Sequence, residues 1–181
     1  MKEKLIKIVS IILIICIGVM SLYFIYGIYE KTRYPVKYLG EIRTAATEFA
    51  VGENVVLAVI RTESGFDADA VSSKGALGLM QIMPSTGEYL YGKLYGGGFD
   101  SQKLLEAQTN IRLGTYYISY LFERFDKDIL WAVAAYNAGE GNVALWREAG
   151  TGLSDIPYKE TREYVLKFQK AYKKYVKINK V

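Results

Sequence analysis

Glu63 is the side chain best placed to do chemistry. It follows the apolar run Val55-Val56-Leu57-Ala58-Val59-Ile60 and precedes a glycine-broken segment carrying Leu79, Met80, Ile82 and Met83. A carboxyl pressed against apolar groups has its charged form disfavoured, so its pKa rises. A glutamic acid still protonated near neutral pH can hand a proton to a leaving group. On this feature alone an ordinary solvated glutamate at a helix end is the commoner case. Asp67 and Asp69 lie close behind in sequence. Either is a candidate second acid for a hydrolase, although aspartates in such a segment more often build turns.

Composition narrows the chemistry further. The 181 residues include no histidine and one cysteine, Cys16. That removes a Ser-His-Asp triad, a Cys-His pair and a His-ligated zinc site. A lone cysteine closes no intramolecular disulfide and builds no thiolate metal centre. Catalysis therefore rests on Asp/Glu, Lys, Tyr or Ser, and neither a metal nor an organic cofactor is expected. The 16 tyrosines hint at surfaces that stack on ring-shaped ligands.

Around these residues the charge is unevenly divided. The net +4 splits into +2 over residues 1–29, −4 over 30–158 and +6 over 159–181. An acidic body with a basic tail argues against nucleic acid as partner, because basic residues would then cover the working face. Residues 8–29 hold 22 residues without a charge, against roughly 20 needed to span a bilayer. The run is long for a signal-peptide core and ends in Tyr23, Tyr26 and Tyr29, where an interfacial aromatic belt would lie. A membrane span is favoured over a buried core helix. Cys16 then sits in lipid. Lysines and arginines flank both ends, so the count of positive charges does not set orientation. The reading is residues 1–30 as anchor, 31–37 as short stalk and 38–181 as catalytic domain.

The elements that must position Glu63 read as mainly helical. Leu39, Ile42, Ala46, Phe49 and Ala50 fall at helical spacing. Asn54 is the expected cap of a second helix, apolar almost all round and hence central. Pro84 opens a short helix through Tyr91. Ile111 to Phe125 trace one face of a long helix, Ile129–Tyr136 form a second buried segment stopped at Gly139, residues 142–149 form a short helix, and residues 160–176 form the last. At most a small hairpin is expected between residues 66 and 82. There is no internal repeat.

The segment from Glu63 to Thr86, ESGFDADAVSSKGALGLMQIMPST, resembles the signature of the family 1 lytic transglycosylases, the soluble type related to goose-type lysozyme. The matching residues are Glu63-Ser64, Phe66, Ser72, Gly75-Ala76, Gly78 through Pro84, and Thr86. Three later blocks agree in order: Asn110-Ile111 with Gly114 and Tyr117, Ala134 through Gly139, and Glu160-Thr161-Arg162 with Tyr164-Val165. One departure is Ala68, where many members have proline. The likeness covers residues 38 to about 175.

This resemblance implies a lysozyme-like, mainly α fold acting on the glycan strand of peptidoglycan. Members break the β-1,4 bond between N-acetylmuramic acid and N-acetylglucosamine without water, and the muramyl C6 hydroxyl attacks C1 to form a 1,6-anhydro ring. One carboxyl then serves twice, because intramolecular attack needs no positioned water. By match of position, Glu63 is the acid and then the base, and Ser72, Gln81, Met83, Tyr136 and Glu160 contact substrate. Gln81 brings amide donors and an acceptor. Met83 brings an apolar wall. Tyr136 brings a phenol that could bond the acid or the sugar.

Plainer roles stand beside these. Ser72 and Gln81 suit backbone groups of an irregular loop, Met83 suits core, Asn137 suits backbone bonding, and Glu160 suits a helix N-terminus. Tyr89, Tyr91, Tyr95, Tyr116, Tyr117, Tyr120 and Tyr158 are further candidates for sugar subsites. The tail lysines Lys159, Lys167, Lys170, Lys173, Lys174, Lys177 and Lys180 form a solvated face or a surface for anionic wall polymers or lipid headgroups. The expected setting is a single-pass cell-membrane protein with its catalytic domain extracytoplasmic. A true lysozyme-type hydrolase and a non-enzymatic peptidoglycan-binding scaffold remain alternatives, as does service to cell-wall or secretion machinery.

Overall fold

A computed structural model describes residues 2–179; Lys180 of the basic tail lies outside them. The chain divides between Pro35 and Val36 into two compact units. The first holds α1 (Lys2–Arg33), a helix in which no residue is buried. It is long and apolar enough to cross a membrane. At about 1.5 Å per residue its uncharged stretch measures about 33 Å, close to the hydrocarbon thickness of a bilayer. The helix continues three residues into the expected stalk, because Lys31, Thr32 and Arg33 keep helical hydrogen bonding before Pro35.

The second unit is a helical body. Its helices are α2 (Leu39–Glu48), α3 (Glu53–Glu63), α4 (Pro84–Tyr95), α5 (Ala107–Arg124), α6 (Ile129–Ala138), α7 (Glu140–Glu148) and α8 (Lys159–Ile178). Two 3₁₀ turns, Ser101–Leu105 and Leu153–Asp155, join them. The run Val55–Ile60 is buried all round, so α3 is the central element. Its cap is Gly52 and not Asn54. The extended Gly52 carbonyl accepts the first helical bond from Val55, and Asn54 already lies in the first turn. α8 packs along α3 and α6 through Thr161, Tyr164, Val165, Phe168, Ala171 and Tyr175. That is the i, i+3, i+4, i+7 stripe of an amphipathic helix. α5 lies against α2 and α6. Asp128 caps α6 by accepting from the amides of Leu130 and Trp131.

No paired strand occurs among the described residues. The anticipated hairpin reduces to two isolated bridges, Val71–Leu77 and Leu77–Ile82. Gly75, Gly78 and Gln81 take positive φ of 85°, 75° and 47°, which curls the chain before a ladder can extend. One side chain locks this curl to the body. Asn110, fully buried on α5, accepts from the Met80 amide at 2.7 Å and donates to the carbonyls of Leu77 at 2.9 Å and Leu104 at 2.7 Å. Gly78 is required by both its φ and its surroundings, since a Cβ there would collide with the Leu104 carbonyl and the Asn110 amide. Gly114 leaves the space that Met80 fills on α5.

Truncating Asn110 strands three buried backbone groups, each costing about 1–3 kcal/mol. Asn110→Ala is expected to lower unfolding stability by about 3 kcal/mol or more in thermal or urea denaturation. A loss under about 1 kcal/mol would show that the clamp carries little.

Candidate active site

Glu63 is the last residue of α3, where the apolar helix meets the curled loop. Ser64 sews the two together. Its Oγ donates to the Leu79 carbonyl at 2.8 Å and accepts from the Phe66 amide at 3.2 Å. Phe66 holds a left-handed φ of 73° because its ring is buried against Tyr175. The Glu63 carboxyl is half-buried, walled by protein yet still reached from solvent. Burial pushes its pKa up to about 7, partly opposed by a hydrogen bond from Tyr164. The Tyr164 hydroxyl donates to Glu63 Oε1 at 2.6 Å. No second carboxylate contributes to the shift. Asp67 is occupied in a turn, its Oδ1 accepting from the Asp69 amide at 3.0 Å.

The other expected residues sit as follows. Tyr136, on α6, feels the Glu63 charge, and burial raises its pKa well above the ordinary phenol value. Its hydroxyl proton goes to the Met80 carbonyl at 2.8 Å, so it fastens the loop. The phenol that donates to the acid is Tyr164. Gln81 spends both amide protons on the backbone, at the Gly78 carbonyl (2.8 Å) and the Ala70 carbonyl (3.1 Å). Only its carbonyl oxygen is left for a ligand. Ser72 Oγ accepts from the Ala76 amide at 2.9 Å. Met83 is exposed just before α4. Glu160, exposed in the first turn of α8, pairs with Lys74 at 3.3 Å across the loop. Asn137 accepts from Thr161 at 2.8 Å, tying α6 to α8.

From Tyr136 the aromatic surface continues outward. Tyr117 lies 5.4 Å from Tyr136 between ring centroids, and Tyr120 stacks beside Tyr117 at 6.3 Å with only 11° between planes. Tyr117 and Tyr120 wall a groove of about 310 Å³ with Ser85, Thr86, Tyr89, Leu90, Tyr116 and Glu140. Glu140 is held by Tyr120 at 2.8 Å and Arg124 at 2.7 Å, both on Oε2. Flat rings edged with oxygen acceptors suit a pyranose, whose C–H face stacks while its hydroxyls bond at the rim. The remaining tyrosine candidates separate: Tyr91 and Tyr95 pack on each other at 4.3 Å with their planes tilted by 30°, and Tyr158 packs edge-on against Trp146 at 5.0 Å.

The family model described as "Transglycosylase SLT domain" matches residues 41–158, more than half of the chain. This chain belongs to the transglycosylase SLT domain family. The chain is 34% identical over 143 residues to the soluble lytic murein transglycosylase of Escherichia coli K12, covering 75% of this chain and 22% of that protein. It is 36% identical over 116 residues to the membrane-bound lytic murein transglycosylase C of Photorhabdus laumondii, covering 59% of this chain and 32% of that one. An inactive mutant of the lytic transglycosylase Slt from Pseudomonas aeruginosa superposes with a TM-score of 0.75 at 32% identity, over 82% of this chain and 25% of that one. The 70-kDa soluble lytic transglycosylase in complex with bulgecin A gives 0.78 at 30% identity, over the same shares. The lysozyme-like reading of the fold therefore holds. The SLT domain chain spans only about a fifth to a third of the curated relatives quoted.

Two residues of the site escaped assignment from sequence. Tyr164 and Asn110 both stood in matching blocks, but nothing in the linear order told which group each would meet. Because Tyr164 donates to the charged form, Tyr164→Phe is expected to raise the Glu63 pKa above about 7. Carboxyl-carbon NMR titration reads this directly, and a fall would contradict it. Stability carries the same signature. The raised pKa penalises the folded state as pH climbs from about 4.5 through about 7. Glu63→Gln should match wild type in stability below about pH 4 and exceed it by up to about 3 kcal/mol at pH 8.

Proposed function

We propose that this protein is a peptidoglycan lytic transglycosylase in which Glu63 acts as acid and then as base. The observation that carries the proposal is a single half-buried carboxyl with its pKa near 7, fixed by Tyr164, beside a tyrosine-walled groove. Near neutrality such a group populates both protonation states, which one residue needs if it is to give and then take a proton.

In the first step the Glu63 carboxylic acid donates its proton to the glycosidic oxygen. The C1–O bond breaks, and its electron pair stays with the departing N-acetylglucosamine. In the second step the C6 hydroxyl oxygen of N-acetylmuramic acid bonds to C1, and its proton passes to the Glu63 carboxylate. The 1,6-anhydro ring is formed, the acid is regenerated and no water is consumed. The Gln81 carbonyl, Ser72 hydroxyl, Met83 and Glu160 are the proposed sugar contacts around that bond, with Tyr136 holding the loop that presents them. α1 is proposed as a single membrane span that leaves the body on the extracytoplasmic side, where glycan strands lie. The membrane-bound relative supports an anchored form of the domain.

Glu63→Gln should cut the rate on purified peptidoglycan by about 10³-fold or more. The wild-type products should carry anhydro ends, one water lighter than reducing ends by mass spectrometry. Because the acid must start protonated, kcat/KM should be flat below about pH 6 and fall about tenfold per pH unit well above pH 7. Reducing ends would identify a hydrolase, and full activity in Glu63→Gln would remove the assignment of the acid.

A further inference from the structure

The lysines of α8 take no part in the site. After Glu163 the chain has no acidic residue, while Lys167, Lys170, Lys173, Lys174 and Lys177 follow on α8. At about 3.6 residues per turn they fall within about one third of the helix circumference, opposite the stripe packed on α3 and α6. Lys167, Lys170, Lys173 and Lys177 are exposed and make no ion pair among the described residues. Lys159, near the other end, is paired with Glu163 at 3.7 Å.

The position of this face is fixed by a short chain of contacts. At the end of α8, Asn179 Nδ2 donates to Asn54 Oδ1 at 2.5 Å. The neighbouring Glu53 pairs with Arg43 at 3.5 Å. Arg43 is one helical turn, about 6 Å, from Leu39, where the chain enters the body. The entry point and the lysine end of α8 therefore share one end of the body. The site lies at the other end, where Tyr164 meets Glu63 and Glu160 meets Lys74. Between Tyr164 and Lys177 the helix rises about 20 Å. Residues 34–38, between α1 and α2, span at most about 18 Å when fully extended. With α1 in a bilayer, these five residues are a short tether between the membrane and the body. Exposed Lys37 adds to the positive charge there, and half-buried Glu41 opposes it.

We propose that the lysine face of α8 docks on anionic lipid headgroups of the membrane that holds α1, so that the body is attached twice and its active-site end is held away from the bilayer. This rests on the reading of α1 as a membrane span. A lysine near an anionic surface strengthens binding by about fivefold, and the short tether supplies the high local concentration that lets a few lysines suffice. A soluble anionic wall polymer would meet the same charges but gains nothing from the tether.

The test uses the full chain in lipid nanodiscs, with a donor fluorophore on Ile178→Cys in a Cys16→Ser background and an acceptor on headgroups. In bilayers with about one third phosphatidylglycerol, energy transfer should report a docked body. The docked-to-free ratio should fall at least about tenfold in pure phosphatidylcholine, in about 0.5 M salt, and in the Lys167→Gln/Lys170→Gln/Lys173→Gln/Lys177→Gln variant. Circular dichroism checks that this surface variant folds. Equal transfer in both bilayers overturns the proposal. So does soluble polyphosphate binding to α8 without any dependence on anionic lipid. A chain that inserts into neither bilayer overturns it by removing its premise. The readout is position and not cleavage, so it stands or falls independently of whether the protein cuts peptidoglycan.

Discussion

The hydrogen bond from Tyr164 to Glu63 joins residues 101 positions apart and makes the end of α3 a usable acid. Burial alone would push the carboxyl further towards its protonated form, since apolar surroundings disfavour its charge. The phenol pulls the other way by donating to the ionised form. The balance leaves the group near 7, where both forms are populated. Much of the body can be read as what that balance requires. α3 must be apolar all round to bury the base of Glu63, and α8 must pack along it to bring Tyr164 into reach.

The loop after Glu63 has the opposite problem. It must turn tightly, present polar atoms and still not unravel. Its backbone bonds go to side chains instead of to a strand partner. Asn110 holds Leu77 and Met80, Tyr136 holds Met80, Ser64 holds Leu79, and Gln81 holds Gly78 and Ala70. Several residues that resemble substrate contacts are thus first of all fasteners. Gln81 and Ser72 can serve both ends only through the atoms the loop leaves over. Positive φ at Phe66 and Gln81 is the conformational cost of that shape, offset by the burial of Phe66 and the amide bonds of Gln81.

Much of this was legible in the sequence. The uninterrupted apolar run before Glu63 marked a central helix, and the glycines after it marked an irregular segment. The periodicity of residues 111–125 and 160–176 marked the long helices, whose observed ends differ by a few residues. Pro84 and Gly139 fell where they punctuate the structure. What could not be read was pairing at long range. Nothing in the linear order says that Tyr164 and not Tyr136 reaches the acid, or that Asn110 clamps a loop 30 residues before it. A hydroxyl's partner is set by which helices pack together. Asn54 is not the cap because Gly52 offers its carbonyl two residues earlier. The three helical residues past the expected anchor end reflect the lack of any breaker before Pro35.

The missing histidines and the thiol-free body take on meaning in this setting. A reaction that borrows its nucleophile from the substrate needs neither a metal-bound water nor an activated serine. It needs one carboxyl that can release a proton and recover one, next to a surface that orients a sugar. In the proposed reaction no water enters the products. The most direct measurement is digestion of peptidoglycan in water enriched in oxygen-18, followed by mass spectrometry of the new chain ends. Intramolecular attack leaves no heavy oxygen at those ends; its incorporation at new reducing ends would show that water is the nucleophile.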